Sequence, residues 1–143
     1  MLRKIRNAWE KAIGSGLVID EDGTKNWYNK DGQRHRENGP AVVYPDGGYV
    51  WYFKDEMHRD GGEPALFYPP NVRKWYVHGV NHRVGGPSVE QIDDSKYWRQ
   101  NGVLHREDGP AIEYRDGTKI WFQNGVQQKQ VDGTVVARLK KSM

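Results

Sequence analysis

The string HREDGPAIEY (His105 to Tyr114) repeats HRENGPAVVY (His35 to Tyr44), and two further versions of the same text lie between them. The His of the His-Arg pair stands at 35, 58, 82 and 105, in steps of 23, 24 and 23; the Pro that follows stands at 40, 64, 87 and 110, in steps of 24, 23 and 23. Trp27, Trp51 and Trp75 advance by 24, and Trp121 lies two units further on. A fixed period of this length dictates stacked, nearly identical units and overrides any local reading of the fold. The unit runs D-G-T-K-x-W-[YF]-x-x-[DN]-G-x-x-H-R-x-x-G-P-A-x-x-Y. Four copies are complete; the fifth decays after WFQNGVQQKQ, where Gln128-Lys129 replaces His-Arg. In the fourth copy the aromatic pair reads as inverted, Tyr97-Trp98 for Trp-Tyr.

Each unit carries its own punctuation. Asp31-Gly32, Asn101-Gly102 and Asn124-Gly125 favour positive φ and suit tight turns between short strands. Asp46-Gly47, Asp116-Gly117 and Asp132-Gly133 mark the boundaries between units, and Gly-Pro interrupts the ladder. The pattern predicts an all-β fold: a single elongated, twisted antiparallel sheet of about five hairpin repeats over residues 17–137. Alternation along the Gly-Pro strand puts Val42/Tyr44, Leu66/Tyr68, Val89/Gln91 and Ile112/Tyr114 on one face, expected to be the core. Ala41/Val43, Ala65/Phe67, Ser88/Glu90 and Ala111/Glu113 fall on the other, which Glu90 and Glu113 assign to water. The Trp rings are expected to point inward, under the stems of Lys25, Arg73 and Lys119.

At 36% hydrophobic and 29% charged residues, the chain has little aliphatic mass for a thick core. Six Trp, eight Tyr and three Phe make up the difference, since each buried ring contributes roughly 2–4 kcal/mol. Charge is unevenly placed. Residues 1–13 and 138–143 carry +3 each, which against a total of +3 leaves −3 for residues 14–137. A mildly acidic body disfavours nucleic-acid tracking except through the basic tails. Leu2, Ile5, Trp9, Ala12 and Ile13 fall near one helical face, so residues 1–16 are expected to form a short basic amphipathic helix that caps the sheet edge, with residues 138–143 a basic tail. There is no Cys, no signal-peptide core and no apolar run near 18 residues, which points to a cytoplasmic protein without a membrane span.

The Trp-Tyr, Asn/Asp-Gly and His-Arg-x-x-Gly-Pro-Ala pattern over Asp22 to Gly133 resembles the MORN-type β-hairpin repeats. It is more similar still to the related repeats of bacterial antitoxin-like proteins and of bacteriophage and large-virus proteins. The resemblance implies a non-enzymatic, cofactor-free binding surface. It also implies an inhibitor of antitoxin or anti-defence type that acts on a bacterial cytoplasmic protein, in the host cytoplasm if the source is viral.

His35, His58, His82 and His105 form a row at multiples of the strand spacing, and a row does not enclose a metal ion. Glu107-Asp108 after one His-Arg pair becomes Glu37-Asn38, Asp60-Gly61 and Val84-Gly85 after the others, so a catalytic base with a fixed orienting partner is not repeated. The His-Arg pairs are expected to hydrogen-bond the neighbouring turn and to pack on Trp or Tyr. Specific function is expected where copies differ. The second unit gains a residue before Pro64, YPPNVRKWYVHGVN (Tyr68 to Asn81) loses the Asp-Gly boundary, and EQIDDSKYW (Glu90 to Trp98) replaces it with an acidic turn. Arg73, Trp75, Tyr76 and His78 are therefore candidate protein-binding anchors, with Asp93 and Asp94 as a polar rim. The alternative is sequestration of an anionic, cyclic-nucleotide-like ligand by Arg36, Arg59, Arg83 and Arg106.

Overall fold

The structure, a computed structural model, describes residues 16–131 and 134–138. The helix expected over residues 1–16 and the tail beyond 138 fall outside these residues, Gly16 excepted. Among the described residues there are only strands and turns, and no helix long and apolar enough to cross a membrane.

In chain order the strands are β1 (Leu17–Ile19), β2 (Lys25–Trp27), β3 (Val42–Val43), β4 (Tyr49–Val50), β5 (Tyr52–Phe53), β6 (Glu56–Met57), β7 (Leu66–Tyr68) and β8 (Val72–Lys74). They continue as β9 (Tyr76–Val77), β10 (Val80–Asn81), β11 (Val89–Glu90), β12 (Lys96–Tyr97), β13 (Arg99–Gln100) and β14 (Val103–Leu104). The last are β15 (Ile112–Glu113), β16 (Lys119–Ile120), β17 (Phe122–Gln123), β18 (Val126–Val131) and β19 (Thr134–Arg138). Ten of them build one antiparallel sheet in the order β1-β2-β3-β4-β7-β8-β11-β12-β15-β16. The others do not join it. After each Trp the chain leaves the sheet and forms a short side hairpin, β5-β6, β9-β10, β13-β14 or β17-β18, with β19 added to the last. In the first unit the side hairpin shrinks to a single bridge between Tyr28 and Arg34. The expected single sheet is thus a main sheet accompanied by a row of side hairpins.

Two kinds of turn maintain the pattern. In four of the five main hairpins an Asp carboxylate accepts the N–H two residues on, Asp22 from Thr24, Asp46 from Gly48, Asp93 from Ser95 and Asp116 from Thr118, whereas β7-β8 turns through a cis Pro69-Pro70 bond. Gly23, Gly47 and Gly117 follow with φ near 90°, whereas the fourth copy puts Asp94 in the left-handed region at φ 65°. The side hairpins close on two residues of positive φ, Lys54-Asp55, His78-Gly79, Asn101-Gly102 and Asn124-Gly125, as expected for tight hairpin turns.

Register sorts the faces. Val18, Asn26, Val42, Val50, Leu66, Lys74, Val89, Tyr97, Ile112 and Ile120 are cross-strand neighbours along one side, and most of them are buried. Tyr52 and Met57 of a side hairpin pack against Val42, Val50 and Leu66, so the side row covers this face. Of the expected core positions, Val42, Leu66, Val89 and Ile112 are buried there, Tyr44 and Gln91 are half-buried, and Tyr68 and Tyr114, at the hairpin ends of their strands, are exposed. The opposite face carries Phe67, Arg73, Glu90, Lys96, Glu113 and Lys119, an aromatic followed by charges of alternating sign across successive strands.

Two more expectations need correction. Ala41, Ala65, Ser88 and Ala111 are buried, although alternation assigned them to water. They lie where the chain re-enters the sheet after the Gly-Pro segment, each accepting at its carbonyl from the Trp N–H at which a neighbouring strand leaves it, and there both sides of the strand are covered. Trp98 is not inverted: it follows Trp75 by 23 residues, and its N–H donates to Ala111 O as that of Trp51 does to Ala65 O. The residue that departs from the pattern is Arg99, which stands where the other units place an aromatic.

Candidate functional site: the cleft between the second and third His-Arg units

The His-Arg-x-x-Gly-Pro segment connects units in a way that repeats at every junction. The main-chain N–H of the first side-turn residue donates to the preceding His Nδ1: Lys54 to His35 at 3.1 Å, His78 to His58 at 3.0 Å, Asn101 to His82 and Asn124 to His105 at 2.9 Å. The second turn residue donates to the carbonyl of the preceding hairpin: Asp55 to Arg34, Gly79 to Met57, Gly102 to Asn81 and Gly125 to Leu104. The Arg main-chain N–H reaches forward to Tyr52, Tyr76, Arg99 or Phe122. Because Nδ1 accepts, each neutral imidazole carries its proton on Nε2.

The Arg side chains close the loops. The guanidinia of Arg36, Arg59, Arg83 and Arg106 lie 3.9, 4.2, 3.9 and 4.0 Å from the ring centres of Trp27, Trp51, Trp75 and Trp98, and each donates from Nη1 to the carbonyl of Pro40, Pro64, Pro87 or Pro110. Gly39, Gly86 and Gly109 lie beneath three of them, where a Cβ would sit 2.7–2.8 Å from the guanidinium carbon and displace the end of the Arg side chain; in the second unit Glu63 holds this position. The cations over the indoles are therefore these four and not Lys25, Arg73 or Lys119; Arg73 lies 5.4 Å from the ring centre of Phe67 instead. The four arginines named for an anionic ligand are each held on their own Trp and do not meet at one site; they line successive clefts in pairs, Arg36 with Arg59, Arg59 with Arg83 and Arg83 with Arg106.

A cleft opens between successive units. One, of 320 Å³, lies beside Trp51 and His58, and one of 290 Å³ beside Trp98 and His105. The cleft between them, of 230 Å³, is floored by Trp75 and walled by Tyr76, Val77, His82, Val84 and the Gly61-Gly62 segment. It differs from the others in three respects. The longer loop of the second unit brings Gly62 O to Trp75 Nε1 at 2.9 Å, and Trp75 is buried. Val84 is 76% exposed and Val77 is exposed beside it. Finally, His35, His58 and His105 bring Nε2 to a carboxylate two residues on, Glu37 at 2.9 Å, Asp60 at 3.2 Å and Glu107 at 2.9 Å, whereas Val84 holds that position after His82. Among the described residues, His82 is bonded through its ring only at Nδ1.

The residues named from sequence fall into separate places. Trp75 and Tyr76 meet in this cleft, with Trp75 as its floor. His78 sits at the side-hairpin tip, its ring stacked on His58 with centroids 4.0 Å apart and Nδ1 3.3 Å from Glu56. Arg73 lies on the charged sheet face, 3.5 Å from Glu90. Asp93 and Asp94 occupy the β11-β12 turn at the other end of the unit, where the backbone N–H of Ser95 and then its hydroxyl hold the Asp93 carboxyl below the usual range, and Asp94 accepts from Asn71 Nδ2 at 3.1 Å.

Sequence reasoning missed a buried polar network next to the cleft. Ser88 Oγ donates to Asn81 Oδ1 at 2.7 Å and accepts from Arg99 N at 3.0 Å; Asn81 Nδ2 donates to Trp75 O at 2.9 Å and Ser88 O at 3.1 Å. The signal was a paired substitution. Asn81 stands where other units have Met57 and Leu104, and Ser88 where they have Ala65 and Ala111.

The class defined by these features is an all-β array of hairpin units joined through His and Arg. Compared with family models, curated proteins and solved structures, the chain matches none.

Proposed function

We propose that the chain is a non-enzymatic, protein-binding repeat module whose binding surface centres on the third His-Arg unit, and that it acts as an inhibitor of a bacterial cytoplasmic protein. The observation that carries this reading is the concentration of departures at one cleft. In an array otherwise governed by its own repeat, the inserted loop residue, the apolar Val77 and Val84, and the buried Asn81–Ser88 pair adjoin the same Trp75. Exposed apolar side chains held beside a rigid, buried Trp75, whose ring the Arg83 guanidinium covers, suit a partner's side chain better than they suit water. Complete burial of a Val side chain contributes about 1.5–3 kcal/mol, of which Val84, 76% exposed, stands to gain most and Val77, 40% exposed, less than half.

The test is affinity capture from bacterial lysate on the immobilised full chain, on Val84→Glu, which restores the residue type found at Glu37 and Glu107, and on Lys119→Glu as a distant control. A protein retained by the unmodified chain and the control but lost by Val84→Glu supports the reading. Failure to retain any protein, or equal retention by all three, overturns it.

A further inference from the structure

We propose that the cleft over Trp75 contains a carboxylate-binding subsite built on His82 Nε2–H, which takes an Asp or Glu side chain of a partner protein that has an apolar residue beside it. The chain itself supplies the argument for this chemistry. At two junctions the same imidazole N–H, fixed in the same tautomer by a turn N–H on Nδ1, donates to a carboxylate at 2.9 Å, and at a third the Asp60 carboxylate stands 3.2 Å from it as an ion pair. At the fourth the tautomer is fixed in the same way, by Asn101 N at 2.9 Å, but Val84 replaces the acid and its side chain is 76% exposed. His82 therefore presents a positioned donor at the cleft wall without the partner that its counterparts possess.

The surroundings select the type of anion. Arg59 and Arg83 on the walls are offset by Asp60 and Glu63, so the cleft has little net field to hold a doubly charged phosphate. A singly charged carboxylate accepts the N–H at a smaller electrostatic cost, and the methyl groups of Val77 and Val84 cover the aliphatic part of its neighbour. The partner's carboxylate would take the place that Glu107 fills in the next unit. Only the source of the carboxylate rests on the protein-binding reading; the subsite itself does not.

Imidazole resonances of the full chain, labelled with ¹³C and ¹⁵N, are followed by NMR during titration with sodium acetate and with the capped dipeptide acetyl-Leu-Glu-amide. Sodium chloride and inorganic phosphate at matched ionic strength serve as comparators. The expected result is a saturable shift of the His82 Nε2 signal at least five times that of His35, His58 or His105, half-complete at a several-fold lower concentration of dipeptide than of acetate. In Val84→Glu the response disappears because the internal carboxylate fills the position. A His82 signal that moves no more than the other three, a response that persists in Val84→Glu, or saturation by phosphate at lower concentration overturns the proposal. If His82 titrates but no protein is captured, the protein source falls and the subsite stands. If capture depends on Val84 and His82 does not titrate, the subsite falls and the protein-binding reading stands.

Discussion

Replacing Ser88 by Ala, Asn81 by Leu, and both together converts the third unit to the composition of its neighbours in two separable steps. Ser88 is completely buried and Asn81 nearly so. Ser88→Ala removes the donor to Asn81 Oδ1 and the acceptor for Arg99 N, leaving two polar groups without those partners. Each group stranded in this way costs about 1–3 kcal/mol, so a loss of about 2–4 kcal/mol is expected. Asn81→Leu removes two donated bonds, but Trp75 O and Ser88 O keep their bonds from the main-chain N–H groups of His82 and Trp75, and Ser88 Oγ retains Tyr97 O at 3.3 Å. Its cost is smaller, about 1–2 kcal/mol. In the double variant no Asn81 oxygen remains to be stranded and Leu fills the space that Leu104 fills in the next unit, so the two losses do not add. A coupling of about 1–2 kcal/mol is expected in urea unfolding followed by both Trp fluorescence and circular dichroism. Additivity within about 0.4 kcal/mol would refute the network as a coupled unit.

Three further outcomes follow from the same contacts. Gly109→Ala places a Cβ 2.8 Å from the Arg106 guanidinium carbon and displaces it from Trp98; a loss of about 1–2 kcal/mol is expected, with a change in Trp emission, and an unchanged emission spectrum would contradict the stack. Thr118, through its backbone N–H first and its hydroxyl second, lowers the Asp116 carboxyl, and Thr24 does the same for Asp22 and Ser95 for Asp93. A lowered carboxyl contributes stability above its ordinary pKa of 3.8, and that contribution is lost as pH falls through the lowered folded value. The stability gap between the unmodified chain and Asp116→Ala should therefore narrow in acid, and a gap independent of pH would exclude this role. Tyr68 is pushed up to about 12, first by burial and then by the Tyr44 hydroxyl at 3.4 Å. Its contribution is present below 10 and lost as pH rises through about 12; ultraviolet titration of Tyr68→Phe against the unmodified chain should remove one late-ionising phenol.

Much of the architecture was legible because the period forces it. Asn101-Gly102 and Asn124-Gly125 announce side-hairpin turns, and Asp46-Gly47 and Asp116-Gly117 announce the main ones, since Gly and Asn take positive φ most readily; Lys54 and His78, which take it too, give no such signal. Alternation identified Val42, Leu66, Val89 and Ile112 but misplaced Ala65 and Ser88 on one side and Tyr68 and Tyr114 on the other. Period two reports which side of a pleat a residue takes, and it is silent about a chain that leaves the sheet and covers that side itself. The packing of His-Arg on turns and Trp could be read from residue type, whereas its direction could not: His35 acts on the turn of the next unit, 19 residues on. The cleft was only half visible. The change from acid to Val84 stands in the sequence, but its meaning depends on knowing that Glu37, Asp60 and Glu107 each face an imidazole.

The His-Arg units hold the array together through one tautomer, which can be observed directly. In a long-range ¹H–¹⁵N correlation of the histidine rings, with detection of scalar coupling across the hydrogen bonds, His35, His58, His82 and His105 should all carry the proton on Nε2. Their Nδ1 atoms should couple to the amides of Lys54, His78, Asn101 and Asn124. Protons on Nδ1, or rings that exchange freely between tautomers with no coupling to those amides, would contradict stacking through histidine.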